Sequence, residues 1–139
     1  MIIPELRLLL ECCKGKATVE DAVQMKKEES ADMSYNPDYD IIVDIQEFET
    51  DINSETTGTV QRFTDFLREI GLRGKIAFLT SEPHQVVVSL IIKEFFSKND
   101  NVRIEVFSTI EAAAGFLGFP VEKNDLIKSK ILQLRKKIV

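Results

Sequence analysis

Tryptophan is missing from this chain of 139 residues, histidine occurs once, and the only two cysteines are neighbours. Each scarcity removes a class of chemistry. A zinc site draws three or four ligands, and His84 has no nearby Cys or second His to join it. It is expected to be structural or solvent-facing. Cys12 and Cys13 are adjacent, which fits neither a metal-ligand pair nor a redox C-x-x-C. On a strand they point to opposite faces and are expected to act as small hydrophobes. No apolar run approaches the ~20 residues of a membrane span. Leu8 to Leu10 is too short for a secretory leader and is flanked by Glu5, Arg7 and Glu11. A reducing, cytoplasmic setting is the expectation. The phosphate-loop, dinucleotide, nucleophile-elbow and HExxH patterns are all missing. Gly71-Leu72-Arg73-Gly74-Lys75 precedes a strand and reads as a helix stop and turn. The expectation is a protein with no catalytic residues, no cofactor and no metal.

What is present is ordinary for a globular domain: 44% hydrophobic and 29% charged residues, enough to bury a proper core. The net charge of −5 is uneven. Residues 122–139 hold six basic side chains and two acidic ones, a tail of +4 on a body of −9. An acidic body does not favour nucleic acid. The chain divides into a domain over 1–121 and a basic amphipathic helix over 122–139, expected within the same globule or at a dimer interface.

Periodicity predicts alternating strands and helices. Residues 5–13 alternate Leu6, Leu8, Leu10 and Cys12 with Glu5, Arg7 and Glu11, an edge strand with one wet face. Thr18 and Asp21 have capping-box spacing, and the charged helix behind them reads as a surface helix. Asp40 to Ile45 is a β-branched strand. Asn53 or Ser54 is positioned to cap a helix whose Val60, Phe63, Phe66, Leu67 and Ile70 form one stripe, stopped by Gly71. Lys75 to Thr80 and Val102 to Phe107 are strands, each leading into a helix start, at Ser81-Glu82-Pro83 and Ser108-Thr109. The predicted architecture is a four-stranded, mainly parallel sheet with helices on both faces, plus the tail helix.

Two surfaces stand out. Asp44 lies at the C-terminal end of a parallel strand, where ligands bind in open α/β sheets. With Asp51, Asn53 and Ser54 it makes a candidate regulatory or ligand face; Glu47 and Glu49 beside it read as a solvated acidic loop. The helix Val86–Phe96 is apolar on more than one face. Its Val87, Leu90 and Ile91, with the tail stripe Ile127, Ile131 and Leu134, make a candidate interaction or apolar-ligand surface. A homodimer joined there is expected, with a protein partner, no nucleic acid and no integral membrane association. An apolar small molecule is the alternative occupant. The tail carries only Ile, Leu and Val where a peripheral membrane helix usually has Trp or Phe, so docking or dimer burial is expected of it.

Several patterns resemble the SpoIIAA-like family of the STAS and CRAL-TRIO-like fold, a group of bacterial proteins. They are Gly15-Lys16-Ala17-Thr18-Val19-Glu20-Asp21, Tyr35-Asn36-Pro37-Asp38-Tyr39-Asp40, Ile42-Val43-Asp44-Ile45, Lys75-Ile76-Ala77-Phe78-Leu79-Thr80, and Val106-Phe107-Ser108-Thr109 through Phe116-Leu117-Gly118. The resemblance covers roughly residues 5–119. It implies an α/β sandwich without enzymatic activity: a STAS-like interaction and regulatory module, or a CRAL-TRIO-like carrier of a lipophilic molecule. In STAS switch proteins a phosphorylatable serine opens the helix after the second parallel strand. Asp51-Ile52-Asn53-Ser54 corresponds to that region, with Ser54 as the phosphate acceptor that the resemblance implies.

Overall fold

The computed structural model describes residues 1–96 and 101–138; the last residue of the 122–139 tail lies outside them. The elements in chain order are β1 (Ile2–Ile3), β2 (Leu8–Gly15), α1 (Val19–Ala31), β3 (Asp40–Phe48), α2 (Thr56–Glu69), β4 (Gly74–Leu79), α3 (Pro83–Phe95), β5 (Val102–Phe107), α4 (Ile110–Phe116) and α5 (Asn124–Lys137). The sheet has five strands in the order β1-β2-β3-β4-β5. β2 through β5 are parallel, and the two-residue β1 pairs antiparallel with β2. The sheet is therefore mixed, one strand larger than the sequence pattern suggests. The chain folds back from β1 through a 3-10 turn, Pro4–Leu6, closed by Arg7 at φ 51.

Because consecutive strands step across the sheet in one direction, same-handed crossovers bring α1, α2 and α3 to one face. That face holds Leu9, Ile41, Val43, Ile76, Phe78 and Ile104 of the sheet against Val60 and Leu67 of α2 and Ile92 of α3. α4 follows the last strand and turns to the opposite face. There α4 and α5 cover Leu8, Leu10, Ile42, Ala77 and Leu79 with Ala113, Ala114, Ile127 and Ile131. Leu8 to Cys12 is buried throughout. The wet face expected for this strand does not exist, since Leu9 and Glu11 lie under the α1 side of the sheet.

Local signals fix the element ends. Thr18 and Asp21 form a reciprocal capping box: Asp21 N donates to Thr18 Oγ1 at 3.1 Å, and Thr18 N donates to Asp21 Oδ2 at 2.8 Å. α2 begins one residue later than a Ser54 cap requires. Asn53 Oδ1 instead accepts from Glu55 N at 2.8 Å, and Ser54 stays exposed. α3 starts at Pro83, with the Gln85 side chain accepting from Glu82 N at 3.0 Å. α4 is capped by Thr109, one residue past Ser108. Gly74, at φ +106, could not be replaced without strain: a Cβ there would lie 3.1 Å from Asp40 Oδ1, the atom that accepts from Lys75 N.

Candidate ligand cavity beneath α1 and α2

α1 is an unusual cover for a sheet. The α1 side chains that face the sheet side are Val19, Ala22, Met25 and Lys26. Of the whole helix only Lys26 is fully buried. Three apolar side chains and one lysine cannot fill the space over β2 and β3. A cavity of about 420 Å³ remains between α1, α2 and the sheet. Ala22 and Met25 wall it from α1, Val60 and Phe63 from α2, Val43 and Phe78 from the sheet. Voids larger than a water molecule are few in protein cores. The size of this one falls within the ~300–1,000 Å³ of small-molecule sites.

Exposed residues mark the opening: Thr18 and Glu20 at the start of α1, Asp51, Asn53 and Glu55 before α2, and Arg62 on α2. It lies beyond the C-terminal end of β3, where ligands enter open α/β sheets. The pairing of β2 with β3 shifts register between Cys12 and Lys14. Such an irregularity bends a sheet locally, here beside Cys13 in the cavity wall.

One charged pair is built into the wall. Lys26 Nζ donates to Glu11 Oε1, and both side chains are only 3% exposed. Glu29 Oε2 lies 3.5 Å from the same ammonium and has no hydrogen-bond partner, like the buried Tyr35 hydroxyl. The Met1 ammonium donates to Leu10 O at 2.8 Å nearby. Burial pulls the Lys26 ammonium below its usual range, opposed by the Glu29 charge. Burial likewise raises the Glu29 carboxyl, opposed by Lys26 and the chain-terminal ammonium. The thiols are unreactive by the same cause: burial pushes Cys12 up to about 11 and Cys13 up to about 12.

The structure separates the residues that sequence reasoning grouped. Asp51 and Asn53 flank the opening. Asp44 is on the opposite face, 2% exposed. It accepts from Arg135 Nε of α5, with the Arg135 guanidinium also donating to Gln46 Oε1. Ile127 and Ile131 are buried against the sheet within the same chain, with Leu134 packed beside them. They therefore do not share a surface with α3. Val87 and Leu90 are exposed, at 39% and 48%, while Ile91 packs into the α2–α3 side of the core. It is their neighbours Val88 and Ile92 that reach the cavity. His84 Nε2 lies 3.0 Å from Phe48 O, a structural contact.

Sequence reasoning missed Glu11, Lys26, Ala22 and Met25. A signal existed: Glu11 interrupts the apolar run Leu8–Cys13, and Lys26 interrupts an otherwise apolar helical stripe. Among the described residues no group of three or more His, Cys, Asp or Glu side chains is arranged to hold a metal ion. No described helix is long and apolar enough to cross a membrane. Compared with protein-family models, with curated proteins and with solved structures, the chain matches none.

Proposed function

We propose that this chain is a non-enzymatic carrier or sensor of a small lipophilic molecule, held between α1, α2 and the sheet. The observation that carries this reading is the cavity of about 420 Å³ walled by apolar side chains. Its opening beyond the strand ends and its thin cover, α1, give a ligand a route in. The high thiol values of Cys12 and Cys13 and the backbone contact of His84 support binding over nucleophilic chemistry. The CRAL-TRIO side of the resemblance agrees with it.

A titration with Nile red, a neutral apolar dye, tests the reading. The parent chain is expected to bind one equivalent saturably. Ala22→Phe and Val43→Phe, which put an aromatic ring into the cavity from opposite walls, are expected to weaken binding by about tenfold or more. Circular dichroism checks that each variant is folded. Folded variants that take up the dye as well as the parent would overturn the proposal.

Exposed Val87 and Leu90 on α3 favour a second reading, a STAS-like protein-interaction module that pairs through that helix. A dimer free of bound small molecule in native mass spectrometry would support it over the carrier.

A further inference from the structure

We infer that the cavity selects an amphiphile with a cationic head, of the long-chain alkylammonium class, and discriminates against fatty-acid anions. The inference rests on the lipophile-binding reading above and adds the charge of the ligand. Among the described residues, four carboxylates, Glu11, Glu20, Asp51 and Glu55, and two cations, Lys26 and Arg62, stand around the cavity. Among the described residues Lys26 is the only cation in the interior wall, and it is already engaged. Lys26 donates to Glu11 and lies 3.5 Å from Glu29. A carboxylate ligand reaching for Lys26 would have to displace Glu11 and bring a third acid beside Glu29, whose carboxyl burial already disfavours in its charged form. At the opening an ammonium head meets three acids, Glu20, Asp51 and Glu55, against one cation, Arg62, all exposed, while its chain fills the apolar interior.

The start of a helix attracts anions, so α1 and α2 oppose this preference. The start of α1 is answered from within the chain, that of α2 only in part, since α2 has no side-chain cap and no acid in its first turn. Thr18 caps α1 and Glu20 and Asp21 occupy its first turn. At α2, Asn53 accepts from Glu55 N, and Thr56 N donates to Asn53 O at 3.2 Å. Three acids against Arg62 leave the opening with a formal charge of −2, and that excess sets the preference.

Displacement of Nile red from the full chain by dodecylammonium, dodecanol and dodecanoate, each below its micelle threshold, tests this. At low salt dodecylammonium is expected to act at about tenfold lower concentration than dodecanoate, with dodecanol between them. The gap is expected to close in the exposed triple variant Glu20→Gln/Asp51→Asn/Glu55→Gln, and to narrow as salt shortens the screening length to ~10 Å at 0.1 M. Dodecanoate or dodecanol displacing the dye as well as the ammonium would overturn the inference while leaving the lipophile site intact. A gap that survives both the triple variant and salt would overturn it too, because the preference would then arise elsewhere. A chain that binds neither dye nor any of the three would end both proposals.

Discussion

Truncation after Phe119 is expected to leave the remaining chain unfolded or at the edge of unfolding at ambient temperature. α5 carries Ile127 and Ile131, exposed by 0% and 1%, against the face of the sheet that α4 alone cannot cover. Each aliphatic side chain contributes ~1.5–3 kcal/mol by burial. Together they lose ~3–6 kcal/mol of burial, a large share of the ~5–15 kcal/mol that holds a domain together, and the sheet side chains they cover lose theirs as well. The cut also ends the Arg135–Asp44 pair and opens Asp44 to water. Single changes should divide the effect: Ile131→Ala by ~2–5 kcal/mol through the cavity it opens, and Arg135→Met toward the lower end of the ~3–5 kcal/mol range, since Arg135 keeps 22% of its side chain in water. Urea unfolding measures each. A truncated chain with an unchanged midpoint, newly unable to bind anionic vesicles, would mean that α5 works free of the domain.

The pair in the cavity wall is expected to give a different signature: large losses for either partner alone, a smaller one for both together. Glu11→Leu leaves Lys26 buried beside Glu29 only, and Lys26→Met leaves Glu11 buried without a counter-charge. Each is expected to cost ~3–5 kcal/mol. The double variant Glu11→Leu/Lys26→Met removes both charges of the pair and is expected to cost less than either single change, with Glu29 left to the Met1 ammonium. Losses that simply add in the double variant would show that the pair is not coupled.

Glu29 should add a pH dependence of its own. Burial raises its carboxyl above the ordinary 4.5. Between those values the folded chain keeps a proton that the unfolded chain has released. Stability therefore falls as pH rises from about 4.5 through the folded value. Lys26 acts with the opposite sign at alkaline pH. Its lowered ammonium means the unfolded chain binds the extra proton, so stability rises as pH climbs toward 10.5. Glu29→Gln is expected to flatten the acid-side slope and to steepen or extend the alkaline one, because it removes the charge that opposes the lowering of Lys26.

The helical stripe of α2, the Thr18–Asp21 box and the tail stripe Ile127, Ile131 were legible because each is a local pattern with a short-range cause. The α/β class followed from their order. β1 was not legible: Ile2–Ile3 becomes a strand only through pairing with Leu8 and Leu9 after the turn at Arg7. Glu11 was misread because alternation with Leu10 and Cys12 mimics a wet strand face, and only the third dimension brings Lys26 over it. Asp44 was read at a strand end, but β3 runs on to Phe48 and leaves it in mid-strand, where side-chain parity turns it toward α5, away from Asp51. A cavity has no sequence signature at all, since it arises where α1 lacks volume.

The most direct test of the account is native mass spectrometry of the full chain, first as purified and then after extraction with organic solvent and exposure to dodecylammonium. The account expects a folded chain carrying one small-molecule adduct, or taking up one equivalent of the amphiphile once emptied. A folded chain that emerges bare from both treatments would contradict it.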